Sequence, residues 1–153
     1  MNDIDIEDLI PHRGRMKLVE EILAVDAKSA ETAATVNENW PTYKDGAVNA
    51  LVLIELVAQS AGVCVGWDEL TRLGKKVAGK GWIVGIKKTS FSIDSIPLHT
   101  RIVTKMWERL ADRDYAEIEG YSTIGDEKVS RVILQVFRTD MDFDFSSMEK
   151  NDD

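Results

Sequence analysis

The sequence predicts an α+β fold in which one long buried helix is wrapped by a curved antiparallel sheet. Three observations lead there. The longest apolar run, Asn49 to Trp67 (NALVLIELVAQSAGVCVGW), is apolar almost all round when wound as a helix, which requires burial on most sides. The segments after it alternate apolar and polar residues with period two and are separated by short turns, the pattern of antiparallel strands. No second helix of that kind is available, so the sheet must cover this one. A single layer leaves sheet edge and helix surface bare, and pairing with a second copy is expected.

The 153 residues suit one domain, which is assigned to 1–139. Net charge is -8, but the acids crowd the ends. Residues 1–8 hold four acids and no base, and 139–153 hold six acids and one base, leaving the body near neutral. Residues 140–153 are therefore expected to be an acidic, frayed tail. The lone Cys64 cannot form an internal disulfide, and the opening MNDIDIED has no apolar core of a signal peptide, so a reducing, cytoplasmic setting is expected. Glu55, Gln59 and Ser60 argue against a membrane span. Nucleic acid, a bound metal and any cofactor are not expected. The body lacks a basic field, one Cys and two distant His make no ligand set, and there is no phosphate loop or Gly-x-Ser-x-Gly elbow.

Taken in order, residues 2–10 predict one short helix, capped by Asn2 or Asp3 and ended by Pro11. Met16 to Val25 reads as a strand, Asp26 to Ser29 as a turn and Ala30 to Val36 as the return arm. Asn37 to Gly46 is a loop by its Asn, Pro, Asp and Gly content. Asn49 is a candidate cap for a helix over Ala50 to Leu70. Four polar or small residues, Glu55, Gln59, Gly62 and Gly66, fall on one stripe of it, where another backbone or a ligand could approach closely. Arg72 to Lys88 holds six basic residues and no acid. Trp82 to Ile93, His99 to Leu110, Tyr115 to Ile124 and Lys128 to Thr139 then read as strands of an antiparallel meander, the last with Val132, Leu134 and Val136 on one face and Arg131 and Gln135 on the other.

Glu55 is the anomaly of the central helix. Burying a carboxylate costs several kcal/mol unless it is paired or neutralised, so the chain either keeps Glu55 out of the core or uses it. The functional reading is a general acid or base with a pKa raised by an apolar pocket; the structural one is a carboxylate bonded within the fold or to a partner chain.

Several pieces of the chain, in order, resemble the hotdog-fold 3-hydroxyacyl-[acyl carrier protein] dehydratases, especially a divergent branch found in aryl-polyene-type gene clusters. They are Leu9-Ile10-Pro11-His12-Arg13 with Met16-Lys17-Leu18-Val19-Glu20, then Asn37-Glu38, then Leu53-Ile54-Glu55-Leu56-Val57-Ala58-Gln59-Ser60-Ala61-Gly62, then Gly85-Ile86-Lys87-Lys88-Thr89-Ser90-Phe91. The similarity spans roughly residues 8–138, and the Glu-x-x-Ala-Gln helix is its most specific piece. The resemblance implies a dimeric hotdog acting on an acyl carrier protein or coenzyme A thioester in fatty-acid or polyene biosynthesis. In that family the helix Glu and a loop His, at a dimer interface, remove a proton beside the thioester carbonyl and protonate the departing hydroxyl.

This sequence departs from the family in the loop. Trp40-Pro41-Thr42-Tyr43-Lys44-Asp45-Gly46 contains no His, and only His12 and His99 exist in the chain. Glu55 takes the carboxylate position, and His12 is the expected replacement base ahead of His99. Gln59, Tyr43, Asp45 and Gly46 are the expected substrate-binding residues. Arg72, Lys75, Lys76 and Lys80 are the expected docking surface for a carrier protein or for coenzyme A phosphates, with a solvated loop as the plainer reading. Two alternatives stay open: a binder of acyl thioesters or carrier protein without turnover, and a hotdog acyl thioesterase.

Overall fold

A computed structural model describes residues 4–74 and 80–139 of the chain. A short helix, α1 (Ile6–Leu9), and a single 3-10 turn (Gly14–Met16) lead into β1 (Glu21–Val25) and β2 (Ser29–Thr35). A two-stranded pair is made by β3 (Ala47–Asn49) and β5 (Ser95–Pro97), which bracket the long helix α2 (Val52–Leu73) and strand β4 (Lys80–Phe91). Strands β6 (Arg101–Asp112), β7 (Tyr115–Ile124) and β8 (Glu127–Thr139) complete the main sheet.

That sheet is antiparallel throughout, in the order β1-β2-β6-β7-β8-β4. The expected meander therefore holds for β6, β7 and β8 only. Strand β4 does not precede β6 in space; it pairs with β8 at the far edge, because β2 already occupies the free side of β6 from Ser29↔Trp107 to Thr35↔Arg101. Period-two alternation shows which face a residue lies on and carries nothing about the neighbouring strand. The β3–β5 pair was also not expected, three residues being too short to show a period.

Local signals explain most boundaries. Asp5 caps α1, accepting from the Glu7 N–H at 3.0 Å, and the expected caps, Asn2 and Asp3, lie outside the described residues. The strand expected from Met16 begins only at Glu21, since the backbone of 16–19 is engaged by a helix side chain instead of a neighbouring strand. Asn49 precedes α2 by more than a cap should; its Oδ1 accepts from the Leu51 N–H at 2.9 Å, closing a turn that starts the helix at Val52. The helix runs to Leu73 and ends on Gly74 in a left-handed conformation (φ 64°). Among the described residues, no helix is long and apolar enough to cross a membrane. The expected tail, 140–153, lies outside the described residues.

Helix α2 lies on the inner face of the sheet and divides the core in two. Leu53, Leu56 and Val63 pack with Leu9, Ile10, Leu18, Trp40, Ile96 and Ile102. Val57, Ala61 and Cys64 pack with Ala30, Met106, Ile118 and Leu134. Each fully buried aliphatic side chain here contributes about 1.5–3 kcal/mol. Between the two clusters runs a buried row of hydroxyls, Thr32, Thr104, Ser122 and Ser130, in cross-strand register over β2, β6, β7 and β8. Ser60 of α2 joins it: its hydroxyl meets Thr32 Oγ1 at 2.8 Å and the Leu56 carbonyl at 2.7 Å. Buried hydroxyls are costly unless bonded, so this contact fixes how the helix is rotated on the sheet and hence where Glu55 points.

Candidate active site

The site is assembled from two parts of the chain, the first turns of α2 and the segment between α1 and β1. Glycines on α2 allow the first contact. A Cβ on Gly66 would collide with the backbone of Leu9, and one on Gly62 would lie 3.0 Å from Ile10 Cγ2. Of the two approaches that the small-residue stripe left open, it is another backbone that comes close. With Leu9 and Ile10 fixed on the helix, Pro11 turns the chain and His12 follows. Arg13 holds this turn through three backbone carbonyls, those of Ile10 (2.7 Å), His12 (2.8 Å) and Glu7 (2.7 Å).

His12 Nε2 lies 3.3 Å from Glu55 Oε1. Both side chains are partly open to solvent, 28% and 33% exposed. The Gln59 amide donates to the same Glu55 oxygen at 3.0 Å. Burial alone pushes the Glu55 carboxyl up, but the hydrogen bonds from His12 and Gln59, with the charge of His12, more than offset it. The net direction is down, opposite to the raised value expected from an apolar pocket, because these donors stabilise the carboxylate. His12 Nδ1 is buried and has no hydrogen-bond partner among the described residues.

The remaining candidates are placed as follows. Gln59 is fully buried and its amide is saturated: Nε2 donates to Met16 O (2.6 Å) and Glu55, and Oε1 accepts from Leu18 N (2.9 Å) and Val19 N (3.2 Å). Every donor and acceptor position of this amide, expected to meet substrate, is thus used within the chain. Tyr43 packs against the core, while Asp45 and Gly46 are exposed, and Thr42, Asp45 and Gly46 all have positive φ. The loop is tied to the β3–β5 pair, through Asn49 N to Thr42 Oγ1 (2.9 Å) and Leu98 N to Gly46 O (2.9 Å); no hydrogen bond or ion pair among the described residues joins Tyr43, Asp45 or Gly46 to Glu55. His99 stands exposed in the turn before β6, with φ 69°, and is not joined to Glu55 by any such contact either. Arg72 is exposed in the last turn of α2, paired with Asp68 at 3.7 Å, roughly 25 Å along the helix from Glu55 at 1.5 Å per residue. Lys75 and Lys76 lie outside the described residues, as does the side chain of Lys80, whose backbone opens β4.

Sequence reasoning missed Arg13 and the anchored segment 16–19. Arg13 stood in the Pro-His-Arg piece, but an arginine that caps backbone carbonyls looks the same in sequence as one facing solvent. A surface cleft of about 350 Å³, lined by Ile4, Ile22, Val25 and Trp67 with Lys17 and Glu20, includes neither His12 nor Glu55. Among the described residues no group of three His, Cys, Asp or Glu could hold a metal ion.

A long helix wrapped by an antiparallel sheet is the hotdog architecture, and known structures agree. One is the dehydratase heterocomplex ApeI:P from Xenorhabdus doucetiae, similar with a TM-score of 0.82 at 20% identity over 91% of this chain and 93% of that one. An HP0420 homologue from Helicobacter felis is similar with a TM-score of 0.65 at 17% identity over 93% and 95%. A hypothetical thioesterase with coenzyme A from Streptococcus pneumoniae TIGR4 is similar with a TM-score of 0.59 at 15% identity over 78% and 84%. At these identities the likeness speaks for the fold. The family is shown by sequence: the ApeP-like model, described as ApeP dehydratase, matches residues 4–149, and the chain belongs to that family. No curated protein matches the chain in sequence. The fold and the family read from the sequence motifs are both borne out.

Proposed function

We propose that this chain dehydrates a 3-hydroxyacyl thioester, presented on an acyl carrier protein or coenzyme A, with Glu55 and His12 as its proton-transfer pair, in fatty-acid or polyene biosynthesis in the cytoplasm. The 3.3 Å contact between His12 Nε2 and Glu55 Oε1 carries the reading. The family is one of dehydratases, and the chain lacks the usual loop His, yet an imidazole reaches the helix carboxylate from the segment between α1 and β1.

Dehydration needs one group to take the C2 proton, acidified by the thioester carbonyl, and another to protonate the C3 hydroxyl as it leaves. Glu55 is held as a carboxylate and is the acceptor. His12, when protonated, delivers from Nε2, the C2=C3 bond forms and water departs. The proton gained by Glu55 returns to Nε2 across their contact, restoring the pair.

Bare apolar residues on the sheet edge and at the start of α2 support assembly with a second hotdog chain, identical or related. The β4 edge exposes Ile83 (45%) and Ile86 (53%), and Leu51 is exposed one helical turn before Glu55. Such edges are normally covered.

The test is turnover of 3-hydroxyacyl and 2-enoyl thioesters, followed by the enoyl chromophore, with the oligomer weighed in solution. Loss of activity in Glu55→Gln supports the proposal. Thioester binding without turnover would return the chain to the binder reading, and release of free thiol to the thioesterase reading.

A further inference from the structure

We infer that Gln59 is the positioning residue of the site: its one amide holds the segment that carries His12 onto the helix that carries Glu55, and fixes the two catalytic groups in contact. The inference rests on the proposed roles of His12 and Glu55 and adds what keeps them together.

His12 sits between two anchors, and both use the stripe of α2 that also bears Glu55. On its N-terminal side, Leu9 and Ile10 lie against Gly66 and Gly62. On its C-terminal side, Met16, Leu18 and Val19 are bonded to Gln59. The first anchor is apolar packing. The second is directional, because a primary amide has two donors and two acceptor positions, and all four are used at 2.6–3.2 Å. Leu18 and Val19 are fully buried, so no water can replace Oε1 as the acceptor for their N–H groups.

The fourth contact, from Nε2 to Glu55 Oε1, ties the segment to the chemistry. One nitrogen bridges the Met16 carbonyl and the Glu55 carboxylate, so a shift of the segment displaces the donor that orients Glu55. The neighbouring residue reinforces this geometry, since Ser60 locks the same turn of helix to Thr32 of β2. Gln59 thus sets the separation of His12 and Glu55 and favours the ionised form of the carboxylate without touching substrate.

Two near-isosteric variants separate positioning from plain stability. Gln59→Met removes both halves of the amide. Gln59→Glu keeps an acceptor for Leu18 and Val19 but turns an oxygen toward Glu55. The readouts are thermal stability, kcat and KM against pH, and the titration of Glu55 followed by carboxyl NMR. Positioning predicts that Gln59→Glu, which faces the Met16 carbonyl and the Glu55 carboxylate with an oxygen in place of the amide nitrogen, does not recover activity even though it keeps the acceptor for Leu18 and Val19. In both, kcat at neutral pH falls on the order of tenfold or more with KM little changed, and the acid limb moves to higher pH. If Gln59→Glu keeps wild-type activity, or if either variant folds with an unmoved acid limb and Glu55 titration, the inference is overturned. If Gln59→Met does not fold, Gln59→Glu decides alone. If the wild type turns over no thioester, the dehydratase reading fails, and the Glu55 titration still decides the role of Gln59.

Discussion

His12 Nε2 and Glu55 Oε1 stand 3.3 Å apart although one side chain comes from the turn after α1 and the other from the first turns of α2. Both remain partly open to solvent, as the proposed proton-transfer pair requires. The contact is longer than a strong charge-assisted hydrogen bond, about 2.7–2.9 Å, so in the proposed reaction little would be lost when the substrate hydroxyl or C2 proton comes between them.

Replacing either member should abolish chemistry while sparing the fold. Glu55→Gln and His12→Asn are each expected to lower kcat by roughly 10²–10⁴-fold, the usual contribution of a positioned acid or base. The measurement is hydration of a 2-enoyl thioester, with circular dichroism as the control for folding. Wild-type turnover in both variants would end the assignment of the pair.

The pH dependence has a definite sign. Burial raises the Glu55 carboxyl, but bonds from His12 and Gln59 lower it further, so the folded value lies below the unfolded one. Its contribution to stability is therefore present above the unfolded carboxylate range and is lost as pH falls through the folded value. Activity should persist into acid below the ordinary carboxylate range. In His12→Asn, removing the imidazole and its charge should move the Glu55 midpoint upward, read by carboxyl NMR.

The glycine stripe supplies a graded test. Gly66→Ala places a methyl into the Leu9 backbone, which cannot move without lifting α1, and should cost about 1–3 kcal/mol with a clear fall in Tm. Gly62→Ala meets side-chain atoms of Ile10, its Cγ2 methyl first, rather than backbone, and should cost less. Because Leu9 and Ile10 precede His12, Gly66→Ala should also reduce kcat. Equal effects from the two substitutions would contradict this packing.

The hydroxyl row tests how the helix is seated. Ser60→Ala leaves the Thr32 hydroxyl buried beside an apolar methyl and should destabilise by about 1–3 kcal/mol. Adding Thr32→Val removes the stranded group, so the double variant should cost less than the two single losses summed. A thermodynamic cycle from denaturant unfolding measures that coupling.

Much of this protein was legible in the sequence. The one long helix, the strand pair before it and the strands after it follow from apolar period and turn residues, because burial imposes 3.6-fold repeats on helices and two-fold repeats on strands. Tyr115 to Ile124 was bounded as found. Glu55 was conspicuous because a carboxylate in an apolar helix demands a reason. The order of motifs then pointed to the family that the sequence match shows.

Tertiary structure alone decided the rest. Which strand lies beside which is a matter of edges and register, so the place of β4 next to β8 could not be read from β4 itself. The ionisation of Glu55 went opposite to expectation, since its two donors are contributed by the fold and outweigh burial. Gln59, expected to meet substrate, spends every hydrogen bond inside the chain. His12 reaches Glu55 because two glycines admit Leu9 and Ile10 against the helix and one amide captures the backbone beyond. The sequence determined which residues had chemistry to offer, through their types and their period. The structure decided which of them meet, because a contact between distant segments depends on close approach and hydrogen-bond geometry that no local pattern records.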